Sequence, residues 1–148
     1  MKPFLLFPLV LAAAVACHQE GPAPAAPEAA AAPYPQTWRL VKLTGSIPGA
    51  KTGANLPFQE TVLFRADSTF LKTRLQGDQY TEARGTFSRQ NGADGRRYVL
   101  LAYAVAGPLV RSCVANASTE GLAFEGNETL ISSTQACDGA RLEYQSVK

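Results

Sequence analysis

The chain has 148 residues, with 14 Lys and Arg against 12 Asp and Glu and a net charge of +2. That balance, without a long run of like charges, gives no footprint for nucleic acid or another polyanion. The single histidine, His18, lies outside the C-terminal domain, which excludes Ser-His-Asp and Cys-His centres there and leaves no zinc-like set.

Taken in chain order, Lys2 precedes an apolar run from Phe4 to Ala16. About 20 apolar residues are needed to span a bilayer. This run is shorter and contains Pro8, so it reads as an export signal. Ala14, Val15 and Ala16 lead directly into Cys17. The stretch resembles the lipobox of bacterial lipoproteins, with Ala14 where Leu is commoner. The resemblance implies cleavage before Cys17 and lipidation of its thiol and new amine. Residues 1–16 are then a lipoprotein signal peptide, and the partner implied is the membrane, through lipid on Cys17. His18 stands where an aspartate retains some lipoproteins in the inner membrane, so the expected address is the outer membrane of a bacterial cell envelope. The facing side, periplasm or cell surface, stays open.

Residues 17–36 are rich in Ala and Pro. Proline stiffens such a segment into an extended tether of about 3.1 Å per residue. Residues 37–148 then form one domain of ordinary size. With Cys17 lipidated, Cys113 and Cys137 remain, and an even pair in an exported chain predicts a disulfide.

The domain shows no sustained helical period. Short runs rich in Val, Thr, Phe, Tyr and Leu alternate with Gly, Asn and Asp, which predicts strands and turns. Strands are expected at 37–43, 60–66, 69–75, 80–88, 97–105, 109–115, 121–125, 129–132 and 141–147. In "VLFRADSTFLKTRL", a two-residue turn at Asp67-Ser68 opposes Phe64 to Leu71 and puts Val62, Phe64, Leu71 and Leu75 inside. Arg65, Lys72 and Arg74 then form a solvated outer stripe, with Leu63 and Phe70 among them. A bulged three-residue turn shifts this register by one. In the next strand Ala83, Gly85 and Phe87 share the inner face. "YVLLAYAV" is apolar on both faces, as for a strand that touches another module. Consecutive strands with short turns predict an all-β, antiparallel up-and-down barrel of eight to nine strands.

These features resemble the lipocalin-like lipoproteins of bacteria. "TWRLVKLTG" resembles their first strand, with Trp38 near the closed end of the barrel. "LFRADSTF" resembles a frequent hairpin, and "LEYQSVK" a closing strand. Gln36 stands where lipocalins have Gly, and Arg141 is the candidate for the arginine that packs over the tryptophan. "TWRLVKLTG" also resembles the opening of META domains, but their Gly-Cys-Asn-like stretch is absent.

The resemblance implies a binding module that takes a small apolar ligand opposite Trp38. Phe64, Leu71, Phe87 and Tyr103 are the candidate lining, unless these side chains simply fill the interior. The alternative is a non-catalytic envelope interaction or assembly protein, with Tyr98–Val105 as the contact strand. No cofactor motif is present. The carboxylates fall mostly at predicted turns or on the outer face, so no enzyme activity is expected.

Overall fold

A computed structural model describes residues 33–45, 49–134 and 137–148, and the side chain of Ser133 is not among the described parts. The expected signal peptide, Cys17 and most of the expected tether therefore lie outside the described residues. Nine strands form among the described residues: β1 (Gln36–Thr44), β2 (Ala50–Thr52), β3 (Gln59–Phe64), β4 (Thr69–Gln76), β5 (Gln79–Asn91), β6 (Arg97–Tyr103), β7 (Thr119–Glu125), β8 (Thr129–Ser133) and β9 (Arg141–Val147). A one-turn 3-10 helix spans Gly53–Asn55.

The order is β1-β3-β4-β5-β6-β7-β8-β9, each strand antiparallel to the next, and β1 also pairs with β9. The sheet thus closes into an eight-stranded, lipocalin-like up-and-down barrel. Short β2 is the extra strand, paired to the far end of β1. Closure leaves few unpaired edges. A register shift in β1 between Leu40 and Lys42 accompanies its change of neighbour, from β3 to β2, while pairing to β9 continues.

The period of two decides what goes inside. Trp38 and Leu40, Val62 and Phe64, Val99 and Leu101, Leu122, Leu130 and Leu142 are all buried. At one end, here called the floor, lie residues 33–36, the β3–β4, β5–β6 and β7–β8 turns and the C-terminus. Arg89 Nη2 donates to Gln36 Oε1 across it at 2.9 Å, and Phe64 packs on Phe87 with ring centroids 4.6 Å apart. At the other end, the mouth, residues 104–118 form a roof loop between β6 and β7. Leu109 of that loop is buried.

Gly85 allows the wall to close tightly. A Cβ there would collide with the carbonyl oxygen of Ala102 and approach Phe70 Cε1 to 2.8 Å. Phe70 and Tyr103 meet edge to face in that space, with centroids 5.0 Å apart.

Three expectations are corrected. First, the β3–β4 turn has three residues, with Ser68 in the left-handed region at φ 62°. Thr69 N and Oγ1 both donate to Asp67 Oδ1, at 3.0 and 2.6 Å. Phe64 therefore opposes Phe70, and Val62 opposes Lys72. Every β4 side chain changes face: Phe70 and Lys72 are inside, Leu71 is half-buried on the outer wall, and Leu75 is 44 % exposed. Second, residues 109–115 form no strand. They belong to the roof loop, which Pro108 enters and the Cys113–Cys137 disulfide ties to the β8–β9 connection. Third, β6 ends at Tyr103, so Val105 lies in the loop, 77 % exposed.

Candidate functional site

The inner face carries a charge network at the mouth half of the barrel. Glu60 stands two residues before Val62 on β3, and Glu120 two before Leu122 on β7, so strand parity turns both carboxylates inward. Lys72 comes from β4. Its side chain and those of Glu60 and Glu120 are fully buried.

Lys72 Nζ lies 2.8 Å from Glu120 Oε2, 3.1 Å from Glu120 Oε1 and 3.2 Å from Glu60 Oε1. Glu60 also accepts from Tyr144 OH at 2.6 Å and from Arg74 Nε at 2.6 Å, and Arg74 Nη2 pairs with the same Oε2. Glu120 accepts from Tyr103 OH at 2.5 Å, Ser132 Oγ at 2.8 Å and the backbone N–H of Arg111 at 3.2 Å. Donors from four strands and the roof loop thus converge on two carboxylates.

Burying charges is costly, and pairing with complete hydrogen bonding mainly offsets that cost. What such a network does specify is register. A one-residue slip of β4 would put Leu71 inside and Lys72 outside, leaving two buried carboxylates short of their cation.

Burial pushes Glu60 up, but the charges of Lys72 and Arg74 and the hydrogen bonds from Tyr144 and Arg74 outweigh it and hold the carboxyl below its ordinary value. Tyr103 and Tyr144 are both pushed well above the ordinary phenol range, by burial first and then by Glu120 and Glu60 respectively. Both phenols stay protonated and act as donors. Each carboxylate oxygen is already engaged, so the cluster directs no acid or base at solvent. Among the described residues, no group of three His, Cys, Asp or Glu is placed to hold a metal ion.

Two guanidinium groups approach the Phe58 ring. Arg74 Cζ is 4.2 Å and Arg111 Cζ 5.8 Å from its ring centroid. Arg111 reaches inward from the roof loop.

The four expected lining residues do not share one site. Phe64 and Phe87 pack on one another in the floor half, Tyr103 joins the charge network, and Leu71 is outside. Trp38 packs edge to face on Phe124 at 5.8 Å. Arg97 and Arg89 lie over Phe124, at 4.7 and 5.9 Å. Arg141, the expected partner of Trp38, pairs with Glu125 and Glu143. Cys113 and Cys137 are bonded.

Sequence reasoning missed Glu60, Lys72, Arg74, Arg111, Glu120, Ser132 and Tyr144 as a group. The available signal was parity: Glu60 alternates with Val62 and Phe64, and Glu120 with Leu122 and Phe124.

Two concavities are relevant to binding. One of about 590 Å³ lies on the outer wall of β6–β9, between Tyr98, Gly121, Ala123 and Ile131, with Arg96, Glu125 and Arg141 at its rim. The other, about 390 Å³, opens where β5 runs past the end of β6, between Thr81–Arg84 and Ala104–Leu109.

Comparison with protein-family models, with curated proteins and with solved structures found no match for this chain.

Proposed function

We propose that this chain is a lipid-anchored protein of a bacterial cell envelope, held in the outer membrane through Cys17, and that its barrel is a non-catalytic interaction module. Its binding surface is the outer wall of β6–β8, where a partner protein docks. The observation that carries this reading is the furrow beside Tyr98 and Leu100. Leu100 is 36 % exposed on that wall, and its strand partner is Gly121. A Cβ at Gly121 would meet nothing within 4 Å. Internal packing therefore does not require glycine there, and its absence of a side chain keeps the furrow open. Exposed apolar surface beside a charged rim is the pattern of protein interfaces.

A photo-crosslinking residue at Leu100, in cells, tests this. One discrete protein adduct is expected, absent when the crosslinker replaces Arg65 at the floor. Equal labelling from both positions, or none, rejects the outer-wall reading.

The cleft between β5 and the roof loop favours a second reading, a small apolar ligand held at the mouth. Val105, Pro108 and Leu109 line it, and its volume is above the roughly 300 Å³ of small-ligand sites. Saturable binding of a fluorescent fatty-acid probe, lost in Ala83→Glu, would favour this reading over the first.

A further inference from the structure

The charges inside the mouth do not balance. Lys72, Arg74 and Arg111 supply three cations, while Glu60 and Glu120 supply two carboxylates. Lys72 and Arg74 are both engaged by those carboxylates. Arg111 is not. None of the ion pairs among the described residues includes it, and its Nε is shielded from solvent and donates to no group. Only its backbone N–H joins the network.

The other described glutamates are paired elsewhere: Glu82 with Arg84, Glu125 with Arg141, Glu128 with Lys148 and Glu143 with Lys42. The undescribed internal residues, Ser46, Ile47, Pro48, Gln135 and Ala136, include no acid, and the undescribed residues 1–32 include Glu20 and Glu28. A largely buried guanidinium without a counter-charge among the described residues is unfavourable, and a guanidinium matches a planar or tetrahedral oxyanion through its fork of N–H donors.

We propose that Arg111, which shares the Phe58 ring with Arg74, forms a binding site for a small oxyanion, a carboxylate or a phosphate, at the barrel mouth. The partly exposed Arg111 side chain gives a route from solvent. The Cζ atoms of both arginines lie close to the Phe58 ring centroid, at 4.2 and 5.8 Å. One bound negative charge brings the cluster to neutrality, so a monoanionic carboxylate fits the charge best. The site is separate from the outer-wall furrow and does not depend on it.

The test is isothermal titration calorimetry of the purified full-length chain in detergent, with acetate and with inorganic phosphate at constant ionic strength. Saturable one-to-one binding of at least one anion is expected. Arg111→Gln weakens it by about tenfold or more, as for loss of a charged hydrogen-bond donor. Arg65→Gln, at an exposed turn, leaves it unchanged. Should Arg111→Gln fail to fold, Arg111→Lys serves: it keeps the charge, loses the fork, and binds more weakly than the native chain. Absence of saturable binding to either anion overturns the proposal. So does equal binding by the folded Arg111 variant, or an equal loss in Arg65→Gln.

Discussion

Lys72 of β4 reaches Glu120 of β7 through the barrel interior, 48 residues further along the chain, with Nζ 2.8 Å from Oε2. Two strands, β5 and β6, lie between them in the wall. The contact is therefore made across the lumen, not along the sheet, and it occupies space that an apolar calyx would leave free.

Removing one side of this contact strands the other. Lys72→Met is expected to cost about 3–5 kcal/mol, because Glu60 and Glu120 stay buried with less compensation. Denaturant unfolding measures it. Lys72→Met combined with Glu120→Gln should lose less than the sum of the two single changes, since they share one interaction.

Stability should fall at both ends of the pH scale. The folded Glu60 carboxyl is held below its ordinary value, and an unfolded Glu titrates near about 4.3. Its contribution is complete above that pH and is lost as pH falls through the folded value. Glu60→Gln should flatten the acid limb of a stability profile. Tyr103 and Tyr144 are raised in the folded state, against about 10 when unfolded. Their contribution is complete below about pH 10 and is lost as pH rises further. In ultraviolet titration, Tyr103 and Tyr144 should ionise only on unfolding.

Two glycines of the wall should respond oppositely to alanine. Gly85→Ala drives a Cβ into the Ala102 carbonyl, a backbone atom that cannot step aside, and should cost at least about 1–3 kcal/mol. Gly121→Ala meets open space and should be neutral or slightly stabilising, because the unfolded chain loses freedom. Thermal melts of the two variants check the contrast.

Reduction of Cys113–Cys137, 24 residues apart, should destabilise the fold by about 3.5 kcal/mol on the chain-entropy account. It should also speed hydrogen exchange at Val110 and Arg111, since the bridge ties the roof loop to the β8–β9 connection. Intact mass before and after reduction and alkylation establishes the bridge.

The barrel was legible in the sequence because alternation and turn residues repeat along the whole domain. The floor aromatics Phe64 and Phe87 followed from the same alternation. The charge network was hidden by one turn residue. Apolar patterning alone favours Leu71 and Leu75 inside, and a two-residue turn delivers that. The turn that forms instead uses Ser68 at positive φ, stabilised by Asp67 accepting twice from Thr69. Lys72 is tolerable inside only because Glu60 and Glu120 arrive from other strands, a fact that no single strand's pattern contains. Residues 109–115 carry strand-like composition, but Pro108 and the disulfide make them a roof. Short β2, Ala-Lys-Thr, lacks any apolar alternation and so left no signal.

The position of Lys72 decides the account most directly. Amine-reactive labelling of the native protein, read residue by residue in a mass spectrometer, should modify Lys51 and Lys148 readily and leave Lys72 unmodified until the protein is unfolded. Labelling of native Lys72 at the rate of Lys51 would contradict the inward register of β4, and with it the filled and charged barrel interior.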